Sequence, residues 1–376
     1  MSRTLVVTND FPTRQGGIES FVRTLAGSLP PDEVVVLTAT MSDSDAAYDA
    51  DLPFPVLRHP VRTLLPTRPV GRAAAEAIRT YGCNRVLFGA AAPLGLLAPA
   101  LRAAGARRLV GITHGHECWW ARVPGTRQAL RRIGDGTDVL TYLGDYTRSV
   151  IAPALSTSAA ARMERFTPGV DPAVFRAGAG GADVRRRYGI DAAAPVVVCV
   201  ARLTPRKGQD TLVRAFPRVL AAIPSARLLV VGGGQDGPRL ARVAQKLDLA
   251  SQVVLTGPVQ WSATPAYFDA GNVFAMPCRT RLGGLEPEAL GIVFLEAQST
   301  GLPVLVGRSG GAPDAVLDGT TGYVVDPHDE AALADRLVDL LRDSVRCRAM
   351  GAAGRAWVEQ SWTWDQVGRR LVELLD

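Results

Sequence analysis

Lysine is missing from the first 168 residues of this chain, which carry 19 arginines instead. Cysteine is scarce: Cys83, Cys118, Cys199, Cys278 and Cys347 are odd in number, scattered, and never spaced as CxxC. That pattern argues against a disulfide framework or a structural zinc site and fits a reducing cytosol. No apolar run approaches the roughly 20 residues that a bilayer span requires. The start does not read as a secretory leader, because Leu5-Val6-Val7 is strand-length and runs into polar Thr8-Asn9-Asp10. Low-complexity tracts and short-period repeats are absent. Aromatics make up 6% of residues and form no RNA-binding motif, so the net charge of +6 does not point to nucleic acid.

What is present describes a packed α/β protein. The 376 residues are 47% hydrophobic, with 38 glycines and 26 prolines spread along them, a length that suggests two domains. Charge is uneven. Residues 58–132 hold 13 basic side chains and 2 acidic ones, whereas 32–51 hold six acids and no base. The basic stretch is read either as a face for anionic lipid or phosphate, or as arginines on solvated helix faces.

Strand-like runs at 5–8, 34–38, 86–88, 109–112 and 139–142 are followed by others at 196–200, 228–231, 253–256, 273–276 and 303–306. They are short, β-branched and nearly continuous, as parallel strands buried on both faces should be. Helical periodicity fills stretches between them at 18–29, 208–222, 238–247 and 330–341. The alternation predicts α/β architecture, two Rossmann-like doubly wound sheets. Pro168-Gly169 and Pro172 stop any regular element, so the expected domains are 1–168 and 169–361. A last helix, within 362–376, is expected to pack back on the first domain.

The candidate chemistry falls in loops after strands. Glu288 and Glu296 bracket the run Ala289-Leu290-Gly291-Ile292-Val293-Phe294-Leu295. A helix starting near Gly291 puts Glu288 in the loop before it and Glu296 more than a turn inside. The free N–H groups at Gly291, Ile292 and Val293, with the helix dipole, then suit a diphosphate. Arg202 and Lys207 follow the strand at 196–200, where two cations suit a departing diphosphate or are simply surface bases. Gly16-Gly17 precedes the first helix, either for close ligand approach or as a plain turn. His114-Gly115-His116-Glu117 follows the strand at 109–112; a metal site there is disfavoured for want of further ligands. Gly232-Gly233-Gly234-Gln235-Asp236-Gly237 spells GxGxxG, but the next strand ends in no acidic residue, so a tight turn is the better account. Asp43-Ser44-Asp45 is taken as a solvated acidic loop.

Arg202…Lys207-Gly208, Glu288-x7-Glu296 and Ser309-Gly310-Gly311-Ala312-Pro313 together resemble the retaining family 4 glycosyltransferases of the GT-B fold. Thr8-Asn9-Asp10-Phe11-Pro12, Thr113-His114-Gly115-His116-Glu117 and Met276-Pro277-Cys278-Arg279 narrow the resemblance to actinobacterial phosphatidylinositol mannoside mannosyltransferases. The resemblance implies two Rossmann-like domains around a cleft and GDP-mannose as donor. The acceptor would be a lipid-linked inositol mannoside, with no metal or other cofactor. It implies a catalytic set of His114, Arg202, Lys207 and Glu288: the cations on the diphosphate, Glu288 on the hexose hydroxyls, His114 on the transferred sugar. Glu296 would take the ribose, Gly16 and Gly17 the phosphates. Asn9, Asp10, His116, Glu117, Trp119 and Trp120 would lie toward the acceptor. Such an enzyme would be cytoplasmic, peripheral at the inner face of the membrane. A same-fold transferase with a soluble acceptor and a sugar-nucleotide epimerase remain the alternatives.

Overall fold

Runs of β-branched residues, apolar on both faces and too short for helices, assemble into two all-parallel sheets in the computed structural model, which describes residues 2–14 and 16–376. The first sheet contains β1 (Arg3–Val7), β2 (Val34–Ala39), β3 (Val56–His59), β4 (Cys83–Phe88), β5 (Arg108–Gly111), β6 (Val139–Tyr142) and β7 (Met163–Arg165), ordered β3-β2-β1-β4-β5-β6-β7. The second contains β8 (Val196–Val200), β9 (Arg227–Val231), β10 (Val253–Leu255), β11 (Val273–Met276), β12 (Val304–Gly307) and β13 (Gly322–Val325), ordered β10-β9-β8-β11-β12-β13. Helices α1 (Gly17–Gly27) and α2 (Arg68–Tyr81) lie after β1 and β3, α3 (Gln209–Ala222) and α4 (Ile292–Ser299) after β8 and β11. Helix α5 (Trp364–Leu375) ends the chain.

The expected doubly wound α/β class is the observed one. In each sheet the strand order reverses direction beside its first strand, at β1/β4 and at β8/β11. Ligands of open α/β sheets bind beyond the carboxyl ends of the strands at such a switch point. That rule selects four loops: those after Val7 and Phe88 in one sheet, and those after Val200 and Met276 in the other.

Three strands were not expected. Each residue of β3 is only half-buried and Arg58 interrupts it, β7 spans three residues, and β13 opens on glycine. All three are short outer strands, where a weak apolar pattern suffices because one side carries no neighbour.

The chain divides into two compact units, one running as far as Pro168 and including Asp365–Asp376, the other Gly169–Trp364. Helix α5 buries Val367, Leu371, Leu374 and Leu375. Arg370 Nη2 meets Glu164 Oε2 at 2.7 Å, Arg108 Nε donates to the Leu374 carbonyl at 2.9 Å, and Arg85 pairs with Asp376. No helix among the described residues is long and apolar enough to cross a membrane.

Candidate functional site

In the second unit, β8 delivers the chain into a loop that ends in a short 3-10 turn over Pro205–Lys207. Gly208 follows with φ +74°, and a Cβ there would sit 1.9 Å from the Pro277 carbonyl oxygen. Only glycine lets the loop lie this close to the exit of β11. The Arg279 amide donates to the Arg206 carbonyl at 2.8 Å, fastening the two switch-point loops together.

This approach joins the predicted residues. Lys207 Nζ lies 2.8 Å from Glu288 Oε2, and Arg206 Nη1 lies 2.9 Å from the same oxygen. Lys207 and Glu288 are 9% and 6% exposed, so the ion pair is largely shielded from water. The Glu288 amide donates to Ser309 Oγ at 3.1 Å, and the Gly311 amide donates to the Glu288 carbonyl at 2.9 Å. The Ser309-Gly310-Gly311 segment therefore sets where Glu288 points. Burial alone would raise the Glu288 carboxyl pKa, but Lys207 and Arg206, with Arg202 beyond them, hold it below the usual range. Arg202 is exposed at the mouth of this group, its carbonyl accepting from Gln209 Nε2 at 3.1 Å.

Gly291, with φ +82°, caps α4. The helix presents Ile292 and Val293 in its first turn and is anchored by buried Phe294, edge-on to Phe274 at 5.6 Å. Truncating such a phenylalanine costs about 3–5 kcal/mol and would loosen the helix start. Glu296 lies deeper in α4, and its carboxyl is pushed up to about 7 by burial, against the opposing hydrogen bond from the Trp261 side chain. Trp261 itself is 65% exposed.

In the first unit, His114 Nε2 lies 2.6 Å from the Gly89 carbonyl. A carbonyl only accepts, so Nε2 carries the proton and Nδ1 is left as an acceptor. Burial lowers the His114 pKa despite the nearby Glu117 carboxylate, which keeps the ring neutral. Glu117 is fully buried; its Oε2 accepts from the His114 amide at 3.0 Å and its Oε1 lies 3.2 Å from His116 Nε2. The two histidine rings stack at 6.4 Å, and Trp119, 42% exposed, lies 6.0 Å from Trp120. Asn9 grips Leu64 by both backbone groups, donating at 2.9 Å and accepting at 2.6 Å, so its amide braces a loop. The Asp10 amide donates to Thr8 Oγ1 at 2.9 Å.

Two expectations need revision. Asp45 is no solvated loop residue: it is 4% exposed, begins a helix, and accepts from Thr13 Oγ1 at 2.6 Å and the Met41 amide at 2.6 Å, beside Arg58 at 3.4 Å. At Gly16, the Glu19 carboxylate already lies against the backbone, since an added Cβ would meet Oε2 at 2.1 Å; Arg14 pairs with Glu19 at 2.9 Å. A phosphate at the start of α1 would have to displace that carboxylate. Gly17 faces open space. Among the described residues no group of three or more His, Cys, Asp or Glu could hold a metal ion, and all five cysteines are buried free thiols. Arg206, Trp261 and Glu19 were not singled out from sequence; for Arg206 the signal was a second base beside Lys207.

Two doubly wound units with candidate residues at their switch points form the layout of a GT-B glycosyltransferase. The Glycosyl transferases group 1 family matches residues 182–357. The crystal structure of HepE from Anabaena in complex with UDP has a TM-score of 0.81 at 19% identity, covering 100% of this chain and 99% of that one, a likeness in fold. A GDP-mannose-dependent alpha-(1-6)-phosphatidylinositol monomannoside mannosyltransferase of Mycolicibacterium smegmatis is 46% identical over 99% of this chain and 97% of its own. A GDP-mannose-dependent monoacylated alpha-(1-6)-phosphatidylinositol monomannoside mannosyltransferase of Corynebacterium glutamicum is 44% identical, again over 99% and 97%. The chain belongs to the family of these phosphatidylinositol monomannoside mannosyltransferases.

Proposed function

We propose that this protein transfers mannose from GDP-mannose to a phosphatidylinositol mannoside lipid with retention at the anomeric carbon. The observation that carries the reading is the Lys207–Glu288 pair, 2.8 Å apart at the carboxyl ends of the switch-point strands β8 and β11. Lys207 and Arg202 stabilise the diphosphate as its bond to the anomeric carbon breaks, assisted by the start of α4. The acceptor oxygen attacks from the same face and its proton passes to the leaving diphosphate. Glu288 holds hexose hydroxyls and Glu296 the ribose. Neutral His114 offers Nδ1 to the transferred sugar, with His116, Trp119 and Trp120 toward the acceptor. The two cations supply the charge that a metal would otherwise bring, so the reaction needs none.

Mass spectrometry tests this. GDP-mannose alone should come back unchanged, and GDP-mannose with a phosphatidylinositol mannoside should give a mannosylated lipid, with or without EDTA. Epimerised donor would point to an epimerase, and product only with a soluble acceptor would overturn the lipid half.

For the lipid side, the basic stretch shrinks once partners are counted. Arg58 is held by Asp49 at 2.7 Å and Arg102 by Asp138 at 2.7 Å, while Arg85 pairs with Asp376. Arg68, Arg72 and Arg79 instead line a groove of about 450 Å³ with Leu96, Leu97 and Pro99. On α2 they fall within about 40° of one another around the helix. We assign the membrane-facing side to this groove, where each arginine adds about 1 kcal/mol toward anionic lipid. Replacing all three with serine should abolish flotation with phosphatidylinositol vesicles; equal flotation of wild type with neutral vesicles would sink the assignment.

A further inference from the structure

Arg206 carries no role in the mechanism above, yet it meets the same carboxylate oxygen as Lys207. We infer that Arg206 is a positioning residue that holds Glu288 charged and aimed when Lys207 turns to the donor diphosphate. The inference rests on the proposed donor chemistry.

The geometry sets up a conflict that Arg206 resolves. Both cations meet Glu288 Oε2, at 2.8 Å and 2.9 Å, which leaves Oε1 to face a ligand hydroxyl. Lys207 has one ammonium and two demands on it, the carboxylate and the phosphate. A buried carboxylate that loses its counter-ion takes up a proton and stops accepting hydroxyl donors from both sides. Arg206 is better placed to stay. Its guanidinium also donates to the Pro287 carbonyl at 3.3 Å, one residue before Glu288, and its own carbonyl is held by the Arg279 amide at 2.8 Å. Nη1 alone makes both contacts, so one guanidinium nitrogen bridges the backbone and the side chain of the Glu288 loop. The other groups facing Glu288 are Arg202 from the same loop as Arg206, the Cys278 thiol after β11, and Lys207 itself.

The test compares wild type with Arg206→Gln and Arg206→Lys. Arg206→Gln should lower kcat at least tenfold with GDP affinity unchanged, because a positioning residue stays on Glu288 and the Pro287 carbonyl and leaves the diphosphate to Lys207 and Arg202. The acid limb of its pH–rate profile should move up by about one unit, and Arg206→Lys should restore most of that limb. A loss of GDP affinity in parallel with kcat would make Arg206 a phosphate ligand and overturn the proposal, as would an unmoved acid limb. A second readout needs no substrate. Glu288 is held below its ordinary pKa, so its stabilisation is present above the unfolded value and lost as pH falls through the folded one. The melting-temperature gap between wild type and Arg206→Gln should therefore be widest near neutrality and close as pH falls through the acid range, because the variant has less of this stabilisation to lose. If wild type makes no mannolipid but this closing gap appears, the donor assignment fails and the Arg206–Glu288 coupling stands; if transfer occurs and neither profile moves, the coupling fails.

Discussion

Lys207→Ala should abolish mannose transfer, with kcat reduced by about three orders of magnitude, which corresponds to about 4 kcal/mol of transition-state stabilisation. The expectation follows from burial. An ammonium only 9% exposed acts on a developing phosphate charge through little water, so its loss cannot be offset by solvent. The fold should survive, because Arg206 stays on Glu288 Oε2 and the carboxylate is never left unpaired. Glu288→Ala should silence the enzyme as well but melt lower, since it leaves buried Lys207 and half-buried Arg206 facing each other without their shared anion. Steady-state kinetics with GDP-mannose and thermal melts of both variants check this. Full kcat/KM in Lys207→Ala would sink the assignment, and equal melting temperatures would mean the ion pair does not bear on stability.

Much of this architecture was open to a reader of the sequence for physical reasons. Parallel strands buried on both faces must be apolar along nearly their whole length, so β2, β8 and β12 announce themselves. Gly291 marks the start of α4, because the backbone there takes φ +82° and a side chain would meet Phe294. What stayed hidden depends on contacts between distant residues. No spacing rule places Asp45 beneath Thr13 or aims Arg206 at a carboxylate 82 residues away. The basic stretch misled for the same reason: a count along the chain ignores Asp49, Asp138 and Asp376, which arrive from outside it.

Glu296→Gln should make the protein more stable at pH 8 and a poorer binder of GDP. The two effects share one cause. The Glu296 carboxyl lies inside α4 with its pKa raised from 4.5 to about 7 by burial, only partly countered by Trp261. Between those values the folded chain holds a proton that the unfolded chain has released, so stability falls as pH rises through that window. The loss amounts to roughly 3 kcal/mol across it, and glutamine, which does not titrate, removes it. Ligand binding runs the other way. A ribose diol donates hydrogen bonds, and the ionised carboxylate is the stronger acceptor, so GDP affinity should rise as pH passes 7 in wild type and stay flat in the variant. Denaturant melts and GDP titrations at pH 5 and pH 8 separate the two readouts. Parallel stability curves for wild type and Glu296→Gln would place the titration elsewhere, and unchanged GDP affinity would remove Glu296 from the ribose. If both hold, the protein tolerates a carboxylate that weakens its own fold near neutrality because the nucleotide, once bound, supplies the hydrogen bonds the buried charge lacks.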